Sequence, residues 1–88
     1  MNAATPRTVM ITGAAGHLGR AVAAAFAAEG ATLVLVDLNR EALATAFGAD
    51  SPTKQLAPCD LLDTARMQAT VDTTLARFGR IRLRHIVP

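Results

Sequence analysis

The strongest constraint on this chain lies in eight residues, Thr12-Gly13-Ala14-Ala15-Gly16-His17-Leu18-Gly19, where three glycines recur at intervals of three. They follow Thr8-Val9-Met10-Ile11-Thr12, a short β-branched run that reads as a strand. After them, Leu18, Val22 and Phe26 recur every four residues, with Ala21 and Ala25 beside them. That spacing predicts one face of a helix from about His17 to Glu29, stopped by Gly30. Thr32-Leu33-Val34-Leu35-Val36 comes next and is apolar on both faces, as a strand covered by helices on both sides should be.

The alternation continues. Asn39 is placed to cap a short helix holding Leu43 and Phe47, and Gly48 to Pro52 is rich in turn residues. Lys54 to Asp60 is a weaker strand candidate, because Pro58 removes a backbone donor. Asp63 then caps a helix whose Met67, Val71, Leu75 and Phe78 are expected on one face, with Gly79 closing it. The order β-α-β-α-β-α, followed by an apolar-basic run from Ile81, predicts an α/β fold. The expected form is a Rossmann-type open parallel sheet of three to four strands with helices on both faces, a partial doubly wound domain in strand order 3-2-1-4. No repeat or linker divides the chain, so residues 1–88 are expected to be part of one domain, with 82–88 a divergent basic tail.

Composition narrows the function classes. At 88 residues and 51% hydrophobic, the chain is globular but small, and a domain of this size buries only about 60–65% of its unfolded surface. Three Phe are the only aromatics, which argues against single-stranded nucleic-acid binding by base stacking. Residues 1–76 hold seven acids against five bases, whereas 77–88 hold four arginines and no acid. The high pI therefore belongs to the tail and does not imply a nucleic-acid or membrane partner for the folded body. Arg82 and Arg84 alternate with Ile81 and Leu83, which fits either an edge strand with one wet face or a solvated, loosely held tail. Cys59 is alone, so it forms no intrachain disulfide, and without a nearby base it reads as a small buried side chain. His17 and His85 are too isolated for a metal site. No signal-peptide pattern is visible, and no apolar run approaches the roughly 20 residues that span a bilayer. A reducing, cytoplasmic location is the expectation.

The chemistry is concentrated in the glycine segment. Gly13 permits a tight turn, Gly16 lets the backbone approach a bulky anion, and Gly19 allows close packing of the helix on the sheet. Backbone N–H groups and the positive helix end then favour a pyrophosphate. Asp37 ends the second strand, 18 residues after Gly19, near the roughly 20 expected of an acid that accepts from the adenosine ribose hydroxyls. A carboxylate there repels the extra phosphate of NADP, and no Arg follows at once; Arg40, three residues on, could swing back. NAD is therefore the expected cofactor, with NADP disfavoured. The plain alternatives are a turn that merely needs glycine, and an Asp37 that only caps a loop.

The same residues carry a family resemblance over about residues 5–80. Ile11-Thr12-Gly13-Ala14-Ala15-Gly16 followed by Leu18-Gly19-Arg20-Ala21 is similar to the cofactor loop of the short-chain dehydrogenase/reductase family. Asp60-Leu61 resembles that family's acidic-aliphatic pair after the third strand, where the carboxylate meets the adenine amino group. Phe78-Gly79-Arg80-Ile81 resembles the phrase leading into its fourth strand. The resemblance implies an NAD(P)-dependent oxidoreductase that transfers hydride between the nicotinamide and an alcohol or carbonyl. It assigns cofactor contacts to Gly13, Ala15, Gly16, His17, Leu18, Gly19, Asp37, Asp60 and Leu61.

Two departures qualify it. His17 occupies the second glycine position of the common subtype's T-G-x-x-x-G-x-G, so the glycines here have the spacing of the extended subtype that includes sugar-nucleotide epimerases. His17 either donates to a phosphate or is a tolerated surface residue. After Ile81 the chain reads Arg82-Leu83-Arg84-His85-Ile86-Val87-Pro88, without the Asn-Asn-Ala-Gly turn of the family. The family's Ser, Tyr and Lys lie further downstream; this chain has no Tyr, and its one Lys, Lys54, precedes the third strand. No catalytic residue is assigned. The expectation is a cofactor-binding part truncated before the catalytic half, without turnover of its own. The rival readings are a non-catalytic truncated or frame-shifted nucleotide-binding protein, or the cofactor part of an extended-subtype epimerase. Self-association through an open sheet edge is expected if the fourth strand has no outer neighbour.

Overall fold

The computed structural model describes residues 7–60 and 62–79, and the backbone of 82–85. In chain order the elements are β1 (Thr8–Thr12), α1 (His17–Ala28), β2 (Thr32–Asp37), α2 (Arg40–Phe47), β3 (Lys54–Pro58), α3 (Thr64–Phe78) and β4 (Arg82–His85). The strands form one sheet in the order β3-β2-β1-β4, with every pairing parallel. This is the expected 3-2-1-4 order. The chain steps outward from β1 through β2 to β3, then crosses back to pair β4 with the other side of β1. The reversal puts the topological switch point at the carboxyl end of β1, where ligands of open α/β sheets collect.

The two central strands are buried on both faces. Val9, Ile11, Leu33 and Leu35 point to one side, where they meet Ala23, Val22 and Phe26 of α1 and Leu43 and Phe47 of α2. Met10, Val34 and Val36 point to the other, against Met67, Val71 and Phe78 of α3. Strand alternation thus divides the apolar residues into two cores, and the result is three layers. β3 stops at Pro58, and the next amide, that of Cys59, donates to the Asp37 carbonyl at 2.9 Å. Cys59 is buried in the second core.

Two helix faces differ from the sequence reading. In α1 the buried positions are Gly19 and Ala23, with Val22 and Phe26 half-buried, while Leu18 is 57% exposed and Ala21 and Ala25 face outward. The small residues face the sheet because the helix lies too close to the turn for a bulkier first-turn contact. In α3 it is Thr74, not Leu75, that joins Met67, Val71 and Phe78 toward the sheet; Leu75 is 43% exposed. At about 100° per residue, positions 67, 71, 74 and 78 hold one line, and position 75 drifts off it. The Thr74 hydroxyl is satisfied by donating to the Thr70 carbonyl at 2.8 Å.

The basic segment also resolves. Arg82–His85 pairs in register with Val9–Thr12 as an outer strand among the described residues; residues 86–88 lie outside them. Backbone pairing to β1 is available whatever the side chains, and an outer strand needs partners on one side alone. Among the described residues no helix is long and apolar enough to cross a membrane.

Candidate functional site

Because the strands are parallel, the segments that follow β1, β2 and β3 all emerge at one edge of the sheet. There the chain leaves β1 at Thr12 and turns at once. Gly13 adopts φ +68°, a left-handed conformation that costs an L-residue about 1–2 kcal/mol. The turn is held from β2. The Ala14 N–H donates to the Val36 carbonyl at 3.0 Å, and the Ala15 N–H donates to Asp37 Oδ2 at 2.9 Å. The Gly16 N–H donates back to the Gly13 carbonyl at 3.2 Å. Three successive loop amides are thereby used within the chain.

Among the described residues, the next three are not. α1 starts at His17 with Gly16 as N-cap, and its first turn closes when the Arg20 N–H donates to the Gly16 carbonyl at 2.9 Å. The N–H groups of His17, Leu18 and Gly19 precede that bond and have no intrahelical acceptor. No side chain caps them. The other two helices begin differently: Asn39 accepts from the Glu41 and Ala42 amides, and Asp63 from the Arg66 amide. The open, positive helix end is the one beside the glycine turn.

Gly16 and Gly19 differ in what demands them. A Cβ built on Gly19 would lie 2.3 Å from the Gly13 carbonyl oxygen and 2.8 Å from the Ala14 Cα, so the helix cannot seat on the turn with any side chain there. The close contact is with the turn itself, more specific than the general helix-on-sheet packing read from the sequence. A Cβ on Gly16 would meet nothing nearer than the Gly13 oxygen at 3.6 Å, and its φ of −74° suits any residue. Neither fold nor backbone conformation requires glycine at 16. The space beside it is open, as a group approaching the helix end would need.

Asp37 stands at the centre of this edge. Its Oδ2 accepts from Ala15, its Oδ1 accepts from the Leu38 N–H at 2.8 Å, and its carbonyl accepts from Cys59. An ionised carboxylate offers about four acceptor positions, so others remain for a ligand. Asp60 follows β3 and is exposed; its Oδ1 accepts from the Leu62 N–H at 2.9 Å and its carbonyl from the Asp63 N–H at 2.9 Å. Leu61 lies outside the described residues. His17 is exposed on the first turn of α1, with Nδ1 3.4 Å from the Arg20 guanidinium. Leu38 and Leu62, 69% and 90% exposed, join Leu18 along the same edge. The sequence reading did not single out Leu38 or Leu62, although each is a leucine outside any strand or helix periodicity. Lys54 is elsewhere: it opens β3 at the far edge and its ammonium donates to the Phe47 carbonyl. Among the described residues no group of three or more His, Cys, Asp or Glu could hold a metal.

A glycine turn, an uncapped helix start and an acid at the end of the neighbouring strand form the arrangement of dinucleotide-binding βαβ units. The sequence model of the short chain dehydrogenases matches residues 7–83. The chain belongs to the short-chain dehydrogenase family. It is 42% identical over 78 residues to the D-threitol dehydrogenase of Mycolicibacterium smegmatis, covering 85% of this chain and 30% of that protein. It is 44% identical over 82 residues to the levodione reductase of Leifsonia aquatica, covering 88% of this chain and 31% of the reductase. Among solved structures it superposes on an NAD+-bound xylitol dehydrogenase with a TM-score of 0.77 and 33% identity, over 88% of this chain and 31% of that one. The chain spans less than a third of the length of these short-chain dehydrogenases. The family consists of oxidoreductases that use NAD(P).

Proposed function

We propose that this chain binds the adenosine and pyrophosphate portion of a nicotinamide dinucleotide, NAD in preference to NADP, on behalf of a short-chain dehydrogenase activity. The observation that carries the reading is the 2.9 Å bond from Ala15 to Asp37, which joins the two halves of the fingerprint, 22 residues apart, into one site. The residues present fit the group. The His17, Leu18 and Gly19 amides would hold a pyrophosphate, and the absence of a Cβ at Gly16 leaves room for it. Gly13 and Ala15 shape the turn, and Asp37 keeps acceptor positions for ribose hydroxyls. Asp60 and Leu61 are assigned to the adenine, with exposed Leu38 offering apolar surface beside it. The His17 imidazole, exposed on the first turn of α1, would offer a ring N–H to the pyrophosphate. The NAD+-bound xylitol dehydrogenase supports the choice of cofactor.

When bound, the cofactor supplies a hydride acceptor or donor. This chain's own groups bind and orient it. Catalytic Ser, Tyr and Lys equivalents are absent from the 88 residues, and Lys54 is tied to Phe47 at the opposite edge. The substrate of the whole activity is read as an alcohol or carbonyl compound. Among the described residues β4 is paired on one side alone, and self-association of the 88-residue chain through its other side belongs to the same proposal. Titration calorimetry of the full 88-residue chain with NAD and with NADP tests the cofactor reading. Tighter binding of NAD is expected; tighter binding of NADP, or no binding of either, overturns it.

A further inference from the structure

The Asp37 carboxylate is half-buried and already has work to do without any ligand. Its Oδ2 accepts from the amide of Ala15, in the middle of the glycine turn, and its Oδ1 from the amide of Leu38. The neighbouring Ala14 amide is held by the Val36 carbonyl, so the end of β2 grips the turn at two adjacent residues. One grip is backbone and survives any substitution. The other depends wholly on the side chain at 37. Ala15 precedes Gly16, the N-cap of α1, by one residue, so the orientation of Ala15 sets where the uncapped amides of His17, Leu18 and Gly19 point.

We propose that Asp37 is a positioning residue for the glycine turn as well as an acceptor for ribose, and that it holds the phosphate-facing amides in place before nucleotide arrives. The two roles share one carboxylate. An anionic group brought beside Asp37 repels the carboxylate, and a displaced carboxylate releases Ala15, so rejection of a 2′-phosphate includes loss of order in the turn. The ligand-dependent half of this proposal rests on the nucleotide reading above; the tether itself does not.

The test separates the two. The Ala15 amide proton resonance is compared by NMR in the unmodified chain and in Asp37→Ala. It is expected to move upfield in Asp37→Ala, as an amide that loses its bond to a carboxylate does; an unmoved resonance overturns the tether. Amide exchange is then compared in Asp37→Ala and Asp37→Asn. Exchange at Ala15 should rise about tenfold or more in Asp37→Ala, the loss of one bond to a charged acceptor, with β1 and β2 amides unchanged. Asp37→Asn keeps an acceptor oxygen and should stay within about threefold. Equal exchange at Ala15 in Asp37→Ala and the unmodified chain also overturns the tether. For the functional half, the probes are ADP and 2′,3′-dideoxyadenosine diphosphate, which has no ribose hydroxyl to offer. Asp37→Ala should weaken the dideoxy probe about fivefold to tenfold, because a displaced turn presents its amides poorly. An unchanged affinity for the dideoxy probe alongside weakened ADP reduces Asp37 to a ribose acceptor. Failure of the unmodified chain to bind ADP sinks the nucleotide reading instead, and the resonance and exchange results still decide the tether.

Discussion

At Gly19 a methyl group would stand 2.3 Å from a backbone oxygen, whereas at Gly16 the same methyl would reach its nearest neighbour at 3.6 Å. These two glycines therefore make opposite predictions. Gly19→Ala is expected to destabilise the chain by about 1–3 kcal/mol or more, since the obstacle is backbone and not a flexible side chain. Gly16→Ala should leave stability within about 0.5 kcal/mol, yet weaken nucleotide binding, because the only use for the missing Cβ is room for a ligand. Urea denaturation beside calorimetric titration of each variant checks both; a Gly16→Ala chain that binds NAD undiminished would mean that the phosphates pass elsewhere. Gly13→Val is expected to abolish binding, since a branched residue at φ +68° opposes the turn. At Asp37 the charge sets selectivity. Asp37→Ala should narrow the preference for NAD over NADP, with each lost charge-assisted bond worth about 1.5–3 kcal/mol at most. Titration of the variant with both dinucleotides measures the gap.

The elements owe their limits to short-range chemistry and their positions to long-range packing. α2 has only eight residues, too few to persist alone, and two things hold it. Asn39 accepts from two amides at its start, and the fully buried Leu43 anchors it beneath β2. Asn39→Ala is expected to cost about 0.5–2 kcal/mol and Leu43→Ala about 2–5 kcal/mol. Equilibrium unfolding of the two variants should rank them in that order; equal costs would mean that α2 contributes little through its core contact. α3 is gripped similarly at its ends, by Asp63 at the start and by Arg77 at the finish. The Arg77 guanidinium donates to Gln55 Oε1 at 2.8 Å and lies 4.7 Å from the centre of the Phe78 ring. These polar contacts are exposed, so they orient the helix more than they stabilise it.

For the molecule as a whole, the radius of gyration of 12.0 Å is what about 88 residues give when compact. Compactness does not make its parts equal in strength. β1 and β2 are paired on both sides and covered on both faces, while β3 and β4 are outer strands paired on one side. Amide exchange is expected to be slowest across Val9–Ile11 and Leu33–Val36, and roughly a hundredfold faster along Arg82–His85. The free edge of β4 should also give concentration-dependent association in sedimentation equilibrium. A monodisperse monomer in which Arg82–His85 is protected as well as β1 would contradict both expectations, and would make β4 an integral part of a self-sufficient unit.

What the sequence by itself determined were the features written within a few residues of each other. β-branched runs mark β1 and β2, and Asn39 and Asp63 reach amides two or three residues ahead, whereas β3 stops at Pro58, two residues short of the Lys54-to-Asp60 run read from the sequence. The turn at Gly13 and the acid at the end of β2 were legible for the same reason, since glycine spacing and a terminal acid report a local turn and a strand end. Tertiary structure decided the rest. The buried faces of α1 and α3 depend on how closely each helix approaches the sheet, which Gly19 sets for α1 and the line through Thr74 records for α3. The place of β4 beside β1 belongs to the expected order 3-2-1-4, whereas its register, Val9 against Arg82, exists only in the assembled sheet. The bond from Ala15 to Asp37 spans 22 residues, and only the parallel register of β1 with β2 sets that amide against that carboxylate. Hydrogen bonds and capping act over a few ångströms along the chain and leave a local signature. Contacts between elements come from burying apolar area, which is non-directional, and acquire their geometry only once the sheet has closed.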